Sequence, residues 1–163
     1  MKEMWDIYDA ERRPTGRLHE RGTPLAAGDY HLVVHVWVQN SKGEFLITRR
    51  APDKIPFCGM WECTGGSALT GEDSETAALR ETREETGIDH AASERKRVLS
   101  YRRDDWFGDV WLFRADFPVE SVVLQDGETT DVRWADNETV LTMLAHGEFC
   151  GYDYIEKFFT LLE

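Results

Sequence analysis

Basic charge is in short supply: 19 Lys and Arg face 31 Asp and Glu, for a formal net charge of −12 over 163 residues. So acidic a surface repels nucleic-acid backbones and anionic membranes, which excludes broad binding of a nucleic-acid polymer. Long apolar runs are missing too. No stretch approaches the ~18 residues that span a bilayer, and Met1 to Ala10 has no apolar signal core. The expectation is a cytoplasmic protein with no membrane partner. Cysteine is sparse and odd in number: Cys58, Cys63 and Cys150, the first two without a matching metal-binding pair downstream. That favours reduced thiols, with a reactive thiol at Cys63 as the alternative. Repeats, low-complexity tracts and linkers are absent, so residues 1–163 read as one domain, and 41% hydrophobic content is enough to give it a core. If the substrate of so acidic a chain is itself an anion, something positive must sit between them, and a divalent metal is the simplest candidate.

What is present is a set of strand hairpins with helices between and after them. Residues 4–8 and 17–20 pair as a hairpin turning at Arg13-Pro14-Thr15-Gly16. Leu32 to Gln39 is a strand with Val34, Val36 and Val38 on one face and His35 and Trp37 on the other. It turns at Asn40 to Gly43 and returns over Glu44 to Arg49. Trp61 to Thr64 is a short strand entering Gly65-Gly66, and Ser74 to Thr86 is a helix. Strands follow over Val98–Tyr101, Val110–Phe117 and Val132–Ala135, then a helix capped by Asp136 or Asn137 and a closing helix from Tyr152 to Leu162. This order predicts an α/β fold whose mixed sheet is covered by helices.

The chemistry concentrates in Gly65 to Ile88, GGSALTGEDSETAALRETREETGI. On a helix with Glu81 at zero, Glu85 lies at roughly +40° and Glu84 at roughly −60°. Three carboxylates therefore share an arc with Ala77 and Ala78, while Leu79, Thr82 and Thr86 fall elsewhere. Like charges so spaced repel. Arg80 can pair with Glu84, but one guanidinium does not neutralise three acids, whereas Mg2+ or Mn2+ would. A salt-bridged, solvated helix face is the competing explanation. Gly65-Gly66 allows close backbone approach and leaves a carbonyl to coordinate, Glu72 stands just before the helix, and Gly87 suits a left-handed C-cap followed by apolar Ile88.

Gly66, five residues, Glu72, seven residues, then Arg80-Glu81-Thr82-Arg83-Glu84-Glu85-Thr86-Gly87-Ile88 resembles the Nudix box over residues 66–88. One position departs: Thr82 stands where an aliphatic residue is usual, so slightly weaker helix packing is expected there. The resemblance implies an α/β/α sandwich with a central mixed sheet, and metal-dependent hydrolysis of a nucleoside diphosphate derivative or similar organic diphosphate. It implies Glu81, Glu84 and Glu85 as ligands of Mg2+ or Mn2+, with a Gly65 or Gly66 carbonyl completing the set. Arg80 would orient the glutamates and Glu72 would support them. Either Glu84 or Glu85 would help deprotonate the attacking water, with Glu128, outside the box, as another candidate base. Arg49 or Arg50, at a strand end, would reach a substrate phosphate. Trp106 and Phe107, read as lying in a polar loop, are candidates for ligand contact, whereas Trp111 suits the core. The implied partner is a small-molecule diphosphate, and a homodimer is left open.

Beyond the box, Trp5-Asp6-Ile7-Tyr8, Tyr30 to Trp37, Arg50 to Lys54 and Gly59 to Glu62 resemble the Nudix branch near isopentenyl-diphosphate isomerase. Isomerase chemistry needs a cysteine and a metal-binding histidine where this chain has Gly65 and Ser67. Cys63 lies two residues early, a shift of about 7 Å along a strand. Hydrolysis is therefore favoured over isomerisation, and the retained glutamates favour it over a non-catalytic nucleotide-binding module. Asp109 stands near the place where that branch has an additional metal-binding acid.

Overall fold

A computed structural model describes all 163 residues. In chain order the strands are β1 (Met4–Tyr8), β2 (Pro14–Glu20), β3 (His31–Gln39), β4 (Phe45–Arg50), β5 (Trp61–Glu62), β6 (Thr64–Ser67), β7 (Glu94–Arg102), β8 (Trp106–Arg114) and β9 (Thr129–Ala135). The helices are α1 (Ser74–Thr86), α2 (Asn137–Ala145) and α3 (Ile155–Leu162), with one turn of 3-10 helix at Val119–Ser121. No helix is long and apolar enough to cross a membrane.

The alternation in β3 divides the core. Val34, Val36 and Val38 pack with Leu46, Trp111, Phe113 and Ala77 and Ala78 of α1. On the opposite face Trp37 joins Phe45, Phe149, Phe158 and Phe159, together with Val140 and Met143 of α2. The sheet runs β5-β4-β3-β8-β7, with β6 also on β3 and β9 also on β4. Its β3–β8 pairing is parallel and the others are antiparallel, giving the expected mixed sheet between helices.

Several boundaries differ from the sequence expectation for identifiable reasons. Parallel pairing with β3, from His31↔Trp106 to Gln39↔Arg114, draws Trp106 and Phe107 into β8 and ends that strand before Phe117. Trp106 and Phe107 are thus strand residues, and Phe107 is buried against Tyr30. Gly65 and Gly66 lie inside β6, paired with His35 and Val34, rather than after a strand. The closing helix starts three residues late, at Ile155. Thr82 and Thr86 are fully buried on α1 rather than turned away from the alanine face. Each donates its hydroxyl to the carbonyl four residues back, at 2.5 Å, so these small side chains pack without an unpaired donor.

The first hairpin turns earlier than expected, through Asp9 to Arg13, and Pro14 to Gly16 belong to β2. A distant contact also anchors the hairpin. Arg12, held at a φ of 61°, makes a bidentate ion pair at 2.8 and 2.5 Å with Asp109 of β8. Asp109 is 0% exposed and also accepts from Ser100 at 2.6 Å and Arg97 at 3.3 Å. Burial alone would raise its pKa, but Arg12 and Ser100 outweigh it and hold the carboxyl below its ordinary value.

Removing Arg12 leaves a buried carboxylate with weaker partners, so Arg12→Ala is expected to lose about 2–3 kcal/mol of stability in urea unfolding at pH 7. Because the folded pKa is depressed, this stabilisation is present above the unfolded value near 3.9 and disappears as pH falls through the folded one. The gap between variant and wild type should therefore close in acid.

Candidate active site

Helix α1 explains why its glutamates differ. Asp73 caps it by accepting from the Thr76 N–H at 2.8 Å, and Gly87 closes it at a φ of 71° with its N–H on the Arg83 carbonyl. The buried stripe Ser74, Ala77, Ala78, Thr82 and Thr86 centres close to the direction of Glu85. Glu85 therefore points inward, Glu81 lies at the border and Glu84 at the rim. The side chains follow this order: Glu81 is 14% exposed and Glu84 50%, whereas Glu85 Oε2 is fully buried without a hydrogen-bond partner.

Arg80 ties the cluster together. Its Nε and Nη2 hold both oxygens of Glu72 at 2.7 and 2.9 Å, and Nη2 also donates to the Ser67 carbonyl at 3.0 Å. Its Nη1 donates to Glu81 at 2.9 Å and Glu84 at 3.1 Å. Burial would raise the Glu72 pKa, but Arg80 and the Leu69 N–H reverse that and set it below the ordinary value. Burial raises Glu81, with Arg80 only partly opposing it. Glu85 is pushed well up by burial, reinforced by the nearby charges of Glu62 and Glu81.

The glycines of β6 have specific reasons to be glycine. A Cβ on Gly66 would lie 2.3 Å from Glu81 Oε1, so the carboxylate occupies the space of the missing side chain. A Cβ on Gly65 would meet the Val34 carbonyl at 2.5 Å and the His35 ring at 2.7 Å. A cysteine at position 65 therefore has no room without a backbone shift.

The other sequence candidates are dispersed. Asp109 stands outside the glutamate cluster, engaged by Arg12, Arg97 and Ser100, which leaves it poorly placed to coordinate. Phe107 is core, whereas Trp106 lines an open cleft with His35, Tyr101 and Tyr152. Arg50 is committed to Glu62 at 3.1 and 3.2 Å. Arg49 is exposed and uses only Nε, on the Gly59 carbonyl at 2.9 Å. Glu128 is 47% exposed and ion-paired with Lys54. Cys63 is buried with its sulfur 3.7 Å from the Tyr154 hydroxyl, and burial drives its pKa far above the ordinary thiol value. It is an inert thiol rather than a reactive one.

Sequence reasoning missed Glu62. Its carboxylate accepts from Arg50 and from the Tyr152 hydroxyl at 3.2 Å, and burial raises its pKa despite Arg50. It lies outside the box on a strand of two residues, so no local pattern marks it; only the sheet brings it near Glu85. As the side chains stand, no three His, Cys, Asp or Glu groups converge to hold a metal ion, because Arg80 holds Glu81 and Glu84.

Comparison with known proteins identifies the family. The family model "NUDIX domain" matches residues 29–156. An uncharacterized Nudix hydrolase of Listeria monocytogenes is 38% identical over 160 residues, covering 98% of this chain and 95% of that protein. An isopentenyl-diphosphate Delta-isomerase of Escherichia coli is 31% identical over 141 residues, 83% of this chain and 78% of that one. The crystal structure of a Deinococcus radiodurans protein superimposes with a TM-score of 0.81 at 24% identity, over 99% of this chain and 100% of that one. The Nudix domain of Shewanella oneidensis NrtR, solved with ADP ribose, gives a TM-score of 0.57 at 18% identity over 76% and 82% of the two chains. With its box helix, glycine-backed glutamate and mixed sheet, the chain belongs to the Nudix family and is a Nudix hydrolase.

Proposed function

We propose that the chain is a divalent-metal-dependent hydrolase of the diphosphate bond in a nucleoside diphosphate derivative or related organic diphosphate. The observation that carries this reading is Glu85 Oε2, a fully buried carboxylate oxygen without a partner, beside Glu81 lying against bare Gly66 backbone. Leaving such an oxygen unpaired costs stability, and a hard cation is the partner its chemistry fits. Glu81, Glu84 and Glu85, with a carbonyl of Gly65, would hold Mg2+ or Mn2+. When bound, that ion supplies positive charge against the diphosphate and acidifies a water.

The chain's own groups do the rest. Arg80 keeps Glu72, Glu81 and Glu84 oriented along one edge of α1. The proton acceptor would be Glu84 or Glu85, through a carboxylate oxygen that the ion leaves free. Glu128 is the weaker choice because Lys54 engages it. The spare terminal nitrogens of Arg49 are available to a substrate phosphate, whereas Nη1 of Arg50 holds Glu62. Isomerisation is disfavoured, because position 65 excludes a cysteine and Cys63 is a buried, protonated thiol.

Glu85→Gln is expected to lower kcat at least ~10²-fold on whichever diphosphate releases phosphate or monophosphate with Mg2+, while the fold persists by circular dichroism. Near-normal turnover would remove Glu85 from the machinery. Millimolar Mg2+ should raise the wild-type melting temperature, and Glu85→Gln should blunt that rise; an unchanged wild-type melt would count against a preformed site. In chelator the sign reverses. A raised folded pKa means that stability falls as pH climbs above the unfolded value of about 4.3. Metal-free Glu85→Gln should therefore melt above wild type at pH 7 and level with it at pH 4, as thermal scans at the two pH values would show.

A further inference from the structure

On the sheet face that carries α3 opens a cleft of about 680 Å³, within the range of small-ligand sites. Its lining is unusually rich in rings: His35 on β3, Tyr101 and Trp106 on β7 and β8, Tyr152 and Tyr154 just before α3, and Phe57 from the loop after β4. His35 lies 4.4 Å from Tyr152 and 6.5 Å from Trp106, centroid to centroid. Tyr152 and Tyr154 stack within 6° of parallel, and Tyr101 meets Trp106 edge-on at 5.3 Å. At the rim an Arg103–Asp153 ion pair joins the β7–β8 turn to the segment before α3.

Two contacts tie this cleft to the segment Glu62 to Gly66, whose Gly66 backs Glu81. The His35 ring abuts Gly65, where a Cβ would lie 2.7 Å from it. The Tyr152 hydroxyl donates at 3.2 Å to Glu62, three residues before Gly65. A third observation sets the cleft apart from ordinary packing. Phe57, a bulky residue, is held at a φ of 63° with its ring 6.3 Å from Tyr152 while remaining 39% exposed. Left-handed backbone is costly for such a side chain, and strain of this kind gathers where ligands bind.

We infer that this cleft receives the planar base of the substrate, stacked against Trp106 and Tyr152, so that these two residues set specificity for nucleoside over aliphatic diphosphates. The inference rests on the diphosphate-hydrolase reading and extends it to the organic half of the substrate. Ring faces reward a flat π-system. The charged rim, where Asp104 and Asp105 carry carboxylates beside the rings, suits the polar edge of a base better than an aliphatic chain.

The test compares wild type with Trp106→Ala, Tyr152→Leu and Tyr152→Phe, each checked for folding by circular dichroism. Hydrolysis of a nucleoside diphosphate panel is measured with Mg2+ against isopentenyl diphosphate as the aliphatic comparator. Binding of nucleoside 5′-monophosphates without metal is measured by calorimetry. Trp106→Ala and Tyr152→Leu should lower kcat/KM on nucleoside substrates at least about tenfold, chiefly through KM, and reduce the nucleoside-to-aliphatic ratio by a similar factor. Tyr152→Phe, which keeps the ring, should stay within about threefold of wild type. Equal losses on both substrate classes, or a wild-type preference for the aliphatic diphosphate, would overturn the inference. If no diphosphate turns over, the hydrolase reading fails while calorimetry still decides the cleft. Monophosphate binding that Trp106→Ala abolishes supports it, and absent binding in the wild type refutes it.

Discussion

The functional end of the molecule depends on one guanidinium. Arg80 bonds three carboxylates and the Ser67 carbonyl, so it fixes α1 to the end of β6 as well as balancing charge. A chain with net charge −12 can crowd acids this tightly only with such a hub, because each carboxylate removed from water needs a cation or donor nearby. Arg80 reaches Glu72, Glu81 and Glu84 but not Glu85. The carboxylate it misses is the one whose buried oxygen is left without a partner.

Close approach between α1 and β6 requires small residues on both sides. The buried stripe of α1 is serine, alanine and threonine, and β6 answers with Gly65 and Gly66. Thr82, where an aliphatic residue is usual, fits because its hydroxyl bonds within the helix. The other face of the sheet is built from large aromatics around Trp37. The two sides of β3 thus serve different ends: one brings carboxylates up against bare backbone, the other closes a core whose last rings spill into an open cleft.

Much of this was legible in the sequence because it is local. The limits of α1, its Gly87 cap, the facing of Val34 against Trp37 and the Asp136 cap of α2 all follow from spacing and residue type. What could not be read depends on pairing at a distance. Trp106 and Phe107 look like loop residues until nine parallel register positions on β3 claim them. Asp109 looks like a free acid until Arg12, 97 residues away, takes both of its oxygens. Glu62, Tyr152 and His35 lie in three separate segments, and only the folded sheet brings them together.

The Arg12–Asp109 contact also bears on where this domain begins. The family match starts at residue 29, which leaves the first hairpin outside it. Yet that hairpin carries the counter-ion for a carboxylate sealed inside β8, and Tyr8 and Tyr30 exchange two backbone hydrogen bonds to anchor it. Cutting at residue 29 would keep every acid of the box and still strand a negative charge in the interior. The cooperative unit is thus longer than the stretch the family model matches, and the amino-terminal ribbon is an integral layer of the domain.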